Sequence, residues 1–179
     1  MERNPIPVGE LSLNSFHAWS DQWFLLTAGH FAPGEFNMMT VAWGSLGVMW
    51  NKPFAQVVVR PSRHTLTFLE LHDSFTLSAF GPGRRDALQV CGSKSGRDID
   101  KVQESGLTPI PSEQVDAPAF NEAQLILECR KIYHDDFKPS HFLSDEIEPC
   151  YGGGDYHRVY FGEVLAVHGI DRYRAAPPA

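Results

Sequence analysis

The chain is short of several things that would narrow its chemistry. Cysteine occurs only three times, as Cys91, Cys129 and Cys150, far apart and never in Cys-x-x-Cys spacing. An odd, scattered set argues against a disulfide framework and against a thiolate metal centre. There is no Lys/Arg-rich run, and 15 basic residues face 22 acidic ones for a formal charge of −7. A duplex-binding domain needs the opposite balance, so no nucleic-acid partner is expected. No stretch approaches the roughly 18 apolar residues that span a bilayer, so no membrane partner is expected either. The first ten residues are polar, with Pro5 and Pro7, and lack a charged segment followed by an apolar run. A reducing cytoplasm is the expected location. Gly-x-Ser-x-Gly is missing, and Gly81-Pro82-Gly83 fails as a dinucleotide fingerprint because Arg84, Arg85 and Asp86 follow it. The histidines His134, His141, His157 and His168 show no His-x-x-x-His ligand spacing.

Apolar residues are plentiful by contrast, at 42%, with twelve Phe. A chain of 179 residues suits one domain, expected to span 1–179 with its core in 22–168 and a flexible tail at 172–179. Strand patterns dominate: 22–28, 36–43, 54–60, 75–80, 124–133 and 157–167 are apolar, aromatic or β-branched runs. Helical patterns are fewer and short. The first is 62–72, with Ser62 as its cap, followed by 84–91 and 98–105, which Gly92 and Gly106 would end. Another is expected near 140–146. Strands that are not each followed by a helix disfavour a doubly wound sheet. They favour a mainly β, mostly antiparallel barrel with a few peripheral helices.

Four stretches carry candidate chemistry. Arg60-Pro61-Ser62-Arg63-His64-Thr65 lies at a strand-to-helix junction. Arg60 and Arg63 offer charge-assisted hydrogen bonds and Ser62 and Thr65 offer hydroxyls, which together suit a phosphate. The same residues also read as a capped helix with two solvated arginines. The second runs from Asn37-Met38-Met39-Thr40 through Trp43-Gly44 to Trp50-Asn51-Lys52-Pro53. It offers soft and aromatic surface for a flat ring, or simply a core strand and a Gly-rich connection. The third, Ser95-Gly96-Arg97-Asp98 with Asp100-Lys101, can close over an anion or be an ordinary exposed loop. The fourth is Asp155-Tyr156-His157 after three glycines, where His157 is an acid/base candidate or a polar surface residue.

These stretches, in this order and together with Gly162-Glu163-Val164, resemble the flavin reductase-like FMN-binding family, in particular its flavoredoxin-like branch. The resemblance covers roughly residues 22–167. It implies an FMN-binding split β-barrel with Greek-key connections, a homodimer, and non-covalent FMN near the dimer interface. It further implies that Asn37, Met38, Met39 and Thr40 lie along the isoalloxazine, with Trp43, Trp50 and Asn51 also cofactor-binding. Arg60, Ser62, Arg63 and Thr65 would hold the phosphate. Ser95, Gly96 and Lys101 would close on the flavin, Lys101 as a phosphate partner, and His157 would lie on the nicotinamide side. The implied activity is NAD(P)H-dependent flavin reduction, with NADH or NADPH as co-substrate. The alternative is a flavoredoxin-like electron carrier reduced by a redox partner protein. The cysteines have no place in the pattern.

Overall fold

The computed structural model describes residues 2–176. Ten strands occur in chain order: β1 (Asn4–Pro5), β2 (Phe24–Gly29), β3 (Phe36–Val41), β4 (Gly44–Met49), β5 (Lys52–Val59), β6 (Ser74–Ala79), β7 (Pro109–Ile110), β8 (Ala119–Phe120), β9 (Leu125–Asp136) and β10 (Arg158–Gly169). Four short helices accompany them: α1 (Ser15–His17), α2 (Thr65–Leu71), α3 (Arg85–Ser93) and α4 (Lys101–Ser105). The main sheet runs β3-β2-β6-β9-β10-β5-β4, all antiparallel, with β1 added beside the end of β10.

Alternation within the strands explains why this sheet curls. Phe24, Leu26 and Ala28 on β2, Phe75, Leu77 and Ala79 on β6, and Leu125, Leu127 and Cys129 on β9 point to one interior. Met39 and Val41 from one edge hairpin share that interior with Ala55, Val57 and Val59 from the other. No ladder joins β3 to β4 among the described residues, so the barrel is split at that seam. The outer faces of β2, β3 and β9 bury a second cluster. There Leu25, Met38 and Ile126 pack under Leu88 and Cys91 of α3 and Phe120 of β8. Each fully buried Leu or Phe contributes about 1.5–3 kcal/mol relative to exposure, and the two cores bury β2 on both of its faces.

The expected mainly β split barrel is the fold found, with local corrections. Gly44–Met49, read as a connection, is a strand paired to β5 through a tight turn at Trp50 and Asn51, both at positive φ (53° and 57°). The helix expected from Ser62 starts at Thr65, because the Ser62 N–H and hydroxyl both bond Asp155 instead of capping a helix. α3 runs through Gly92 rather than stopping there. α4 starts at Lys101, capped by the Asp100 carboxylate on the Val102 and Gln103 amides, and ends at Gly106 in the left-handed conformation as expected. The helix expected near 140–146 is replaced by two single 3₁₀ turns, Pro139–His141 and Glu148–Cys150. The flexible tail expected from 172 does not begin there. Tyr173 is buried, Arg174 pairs with Glu10, and the Ala175 amide bonds the Glu10 carbonyl, while 177–179 lie outside the described residues.

Candidate functional site

The end of β5, the start of α2, the 92–101 segment and the loop before β10 converge beside β3. Arg60 closes β5, and its guanidinium donates to the Cys150 carbonyl at 2.7 Å and lies 5.1 Å from the Tyr151 ring centre. The turn it opens brings the Arg63 amide onto the Arg60 carbonyl. The Arg63 side chain donates to the Gly92 carbonyl, tying this turn to α3. Arg97 reaches the Ser62 carbonyl at 3.3 Å. Lys101 is buried, and its ammonium donates to the Met38 carbonyl at 2.8 Å and the Cys91 carbonyl at 2.9 Å.

Charge is unevenly matched here. Among the described residues, Arg60 has a carboxylate in range, Asp155 at 3.9 Å, while Arg63, Arg97 and Lys101 have none within 4 Å. Burial pulls the Lys101 pKa down to about 8, with nearby Arg63 adding to the effect. Burial also lowers His64, and Arg97 and Lys101 push it the same way. A cluster in which cations depress one another is prepared for an anion that would relieve them.

Beside the cations lies an open cleft of about 720 Å³. Phe31, Phe36, Phe68 and Pro109 form apolar walls, and Asn37, His64, Gly96 and Lys101 supply polar groups. Asn37 Nδ2 donates to Thr65 Oγ1 at 2.9 Å, and a side chain on Gly96 would place its Cβ 2.3 Å from Asn37 Oδ1. The His64 Nδ1 is buried without a partner among the described residues. On the other flank, the His157 ring sits 5.2 Å from that of Trp43, which is half exposed, and its Nδ1 lies 2.9 Å from the Tyr151 hydroxyl. Burial, then Arg60, lowers the His157 pKa to about 4.

Asn37, Thr65, Gly96, Ser95, Lys101, Arg60, Ser62, Arg63, Trp43 and His157 thus fall in one connected region. Ser95 caps a turn there by accepting from the Arg97 amide. Met38 lines the cleft while also packing in the outer core, whereas Met39 sends its side chain into the barrel interior. Thr40 is covered by α3, bonding the Leu88 carbonyl and facing Gly92. Lys101 turns inward to main-chain carbonyls rather than outward. Trp50 and Asn51 stand apart, at the exposed tip of the β4–β5 hairpin, where Trp50 packs on Tyr133 and Phe161. Sequence reasoning missed Tyr151 and undervalued Arg97. The three glycines after Tyr151 were the available signal, since Gly152 and Gly153 at positive φ turn the chain so that Tyr151 meets His157.

Comparison with known proteins agrees with this architecture. A flavoredoxin of Methanosarcina acetivorans is 27% identical, with 85% of this chain and 70% of that chain covered and a TM-score of 0.66. Flavoredoxin of Desulfovibrio vulgaris (Miyazaki F) is 22% identical over 90% of this chain and 73% of its own, also at 0.66. An FMN-binding protein of Thermus thermophilus is 20% identical, covering 99% and 85%, again at 0.66. The family model described as "Flavin reductase like domain" matches residues 18–177, nearly the whole chain, and this chain belongs to that family.

Proposed function

We propose that this chain binds FMN non-covalently and works as an NAD(P)H-dependent flavin reductase. The observation that carries the reading is the surplus of cations at Arg60, Arg63, Arg97 and Lys101, of which Arg60 alone has a carboxylate within 4 Å among the described residues (Asp155), in a chain of net charge −7. A phosphate monoester is the ligand group that such a cluster fits. Arg60, Arg63, Arg97 and the Ser62 hydroxyl would hold it. The cleft with Asn37, His64, Gly96 and Lys101 and the Trp43–His157 flank supply the adjoining flat and polar surfaces.

When bound, FMN supplies the redox chemistry, accepting a hydride from a reduced nicotinamide. The chain's own residues bind, orient and exclude water. His157, held neutral by burial and Arg60, offers hydrogen bonds without carrying charge at neutral pH. A flavoredoxin-like electron carrier is the second reading, favoured by the 27% identical flavoredoxin of Methanosarcina acetivorans. We also propose a homodimer built on the open β4 edge. Val48, Met49 and Trp50 are exposed there, together with Trp43 near the split. In that arrangement the Trp50–Asn51 tip would stand at the interface.

Among the described residues no helix is long and apolar enough to cross a membrane. The test is a titration with FMN followed by anaerobic addition of NADH or NADPH. Saturable quenching of flavin fluorescence, then rapid loss of flavin absorbance, is the expected result. Binding without bleaching selects the carrier, and no binding overturns both readings.

A further inference from the structure

We infer that Tyr151 is a positioning residue that fixes His157 as the Nε2–H tautomer, so that the ring packed beside Trp43 presents a neutral hydrogen-bond donor at its solvent-open nitrogen. The ligand group it suits is the carbonyl oxygen of an uncharged planar ring or carboxamide. This rests on the flavin-binding reading for its use, but not for its geometry.

The geometry leaves one consistent assignment. Tyr151 is buried, and its hydroxyl meets His157 Nδ1 at 2.9 Å. The phenol proton has no other acceptor among the described residues. If Nδ1 accepts it, both groups are satisfied and the ring proton sits on Nε2. If Nδ1–H donated instead, the phenol proton would be left without a protein acceptor in a buried place, which costs its desolvation with nothing in return. Among the described residues Nε2 itself has no protein partner, and it keeps contact with solvent.

The surroundings lock both rings. His157 packs against Trp43, Phe137 and Tyr151, and Tyr151 stacks on Phe142 while Arg60 sits over its ring. The charged and titratable groups facing His157 are Arg60, Asp155 and Tyr151. Burial raises the Tyr151 pKa, keeping the phenol protonated, and burial with Arg60 keeps His157 neutral. A neutral ring held this way donates from Nε2 and does not serve as a proton source near pH 7.

Long-range proton–nitrogen spectra of the full chain, labelled with nitrogen-15 histidine and without added flavin, test this. The His157 signals are assigned by their loss in His157→Gln. The expected result at pH 7 is an unprotonated Nδ1 and a protonated Nε2. In Tyr151→Phe, which keeps the ring stacked on Phe142, the Nδ1 resonance should move to that of a tautomer mixture. A protonated Nδ1 in the unmutated chain overturns the inference outright and needs no variant. An Nδ1 resonance that is the same in both proteins removes the role of Tyr151. Because flavin is left out, failure here is separate from failure of the FMN titration.

Discussion

The ammonium of Lys101 donates to the main-chain carbonyl of Met38, joining α4 to the centre of β3 across 63 residues of chain. A second bond to the Cys91 carbonyl ties in α3, and no carboxylate shares the site among the described residues. Burial lowers the Lys101 pKa to about 8, against 10.5 ordinarily. Between these values the unfolded chain binds more protons than the folded one, so stability rises with pH in that window. Burial raises the neighbouring Cys91 thiol to about 11, which works the other way above pH 9. The clean interval is therefore pH 8 to 9. Urea unfolding should show a stability gain there of about 1 kcal/mol, and Lys101→Met should abolish it.

Gly96 is the second point where β3 is clamped. A Cβ there would sit 2.3 Å from Asn37 Oδ1, whose amide is already bonded to Thr65. Gly96→Ala should lower stability by about 1–3 kcal/mol by displacing Asn37, and should weaken FMN binding. In an Asn37→Ala background the added methyl has room, so the stability loss from Gly96→Ala should shrink to under about 0.5 kcal/mol in a double-mutant cycle.

Legibility in the sequence followed how local each signal was. The core strands were readable because Phe24–Gly29 and Lys52–Val59 carry apolar runs set by their own burial. β4 was not, because Gly44, Ser45 and Gly47 hide the alternation of Leu46 and Val48, and its turn takes positive φ at Trp50 and Asn51 without a glycine. The Arg60–Thr65 cluster stood out as a composition anomaly. Its partner Asp155 lies 93 residues from Ser62, and only the β5–β10 pairing brings them together. The inward turn of Lys101 was illegible for the same reason: nothing near it in sequence names Met38 or Cys91 as its acceptors.

His157 should make the fold acid-sensitive. Its folded pKa of about 4 lies below the ordinary 6.5, so the unfolded chain takes up a proton that the folded chain refuses. Stability from this group is complete above pH 6.5 and falls as pH drops towards 4, by up to about 3 kcal/mol. Burial lowers His64 and His72 as well, and they add to the same trend. Unfolding free energy measured from pH 7 to pH 4 should decline, and His157→Gln should reduce that slope. An unchanged slope would show that His157 is solvated rather than buried.

The β4 edge tests the proposed dimer. Val48 on β4 is 74% exposed and Trp50 in the turn that follows is 56% exposed, beside a strand edge that pairs with no other strand among the described residues. An apolar open edge of this kind is a pairing surface unless something covers it. Sedimentation at micromolar concentration should give twice the 20.0 kDa chain mass. Val48→Glu should shift the species to monomer and weaken FMN binding with it. A monomer in the unmutated protein would contradict the dimer.

Arg97 is the sharpest probe of the phosphate assignment. Arg63 also holds the Gly92 carbonyl, so removing it loosens the α2–α3 junction along with any ligand contact. Arg97 is exposed, bonds only the Ser62 carbonyl at a long 3.3 Å, and has no carboxylate partner among the described residues. Arg97→Ala should therefore leave the fold intact. It should weaken FMN by on the order of 1 kcal/mol, about fivefold, as expected for an exposed charge-assisted contact. Riboflavin lacks the phosphate and should bind Arg97→Ala and the unmutated chain alike. Raising salt should narrow the FMN difference, because the contact is exposed and screened. Lys138→Ala, at a surface cation paired with Asp135, serves as the control and should change neither ligand. Equal loss for FMN and riboflavin in Arg97→Ala would move the phosphate away from this cluster.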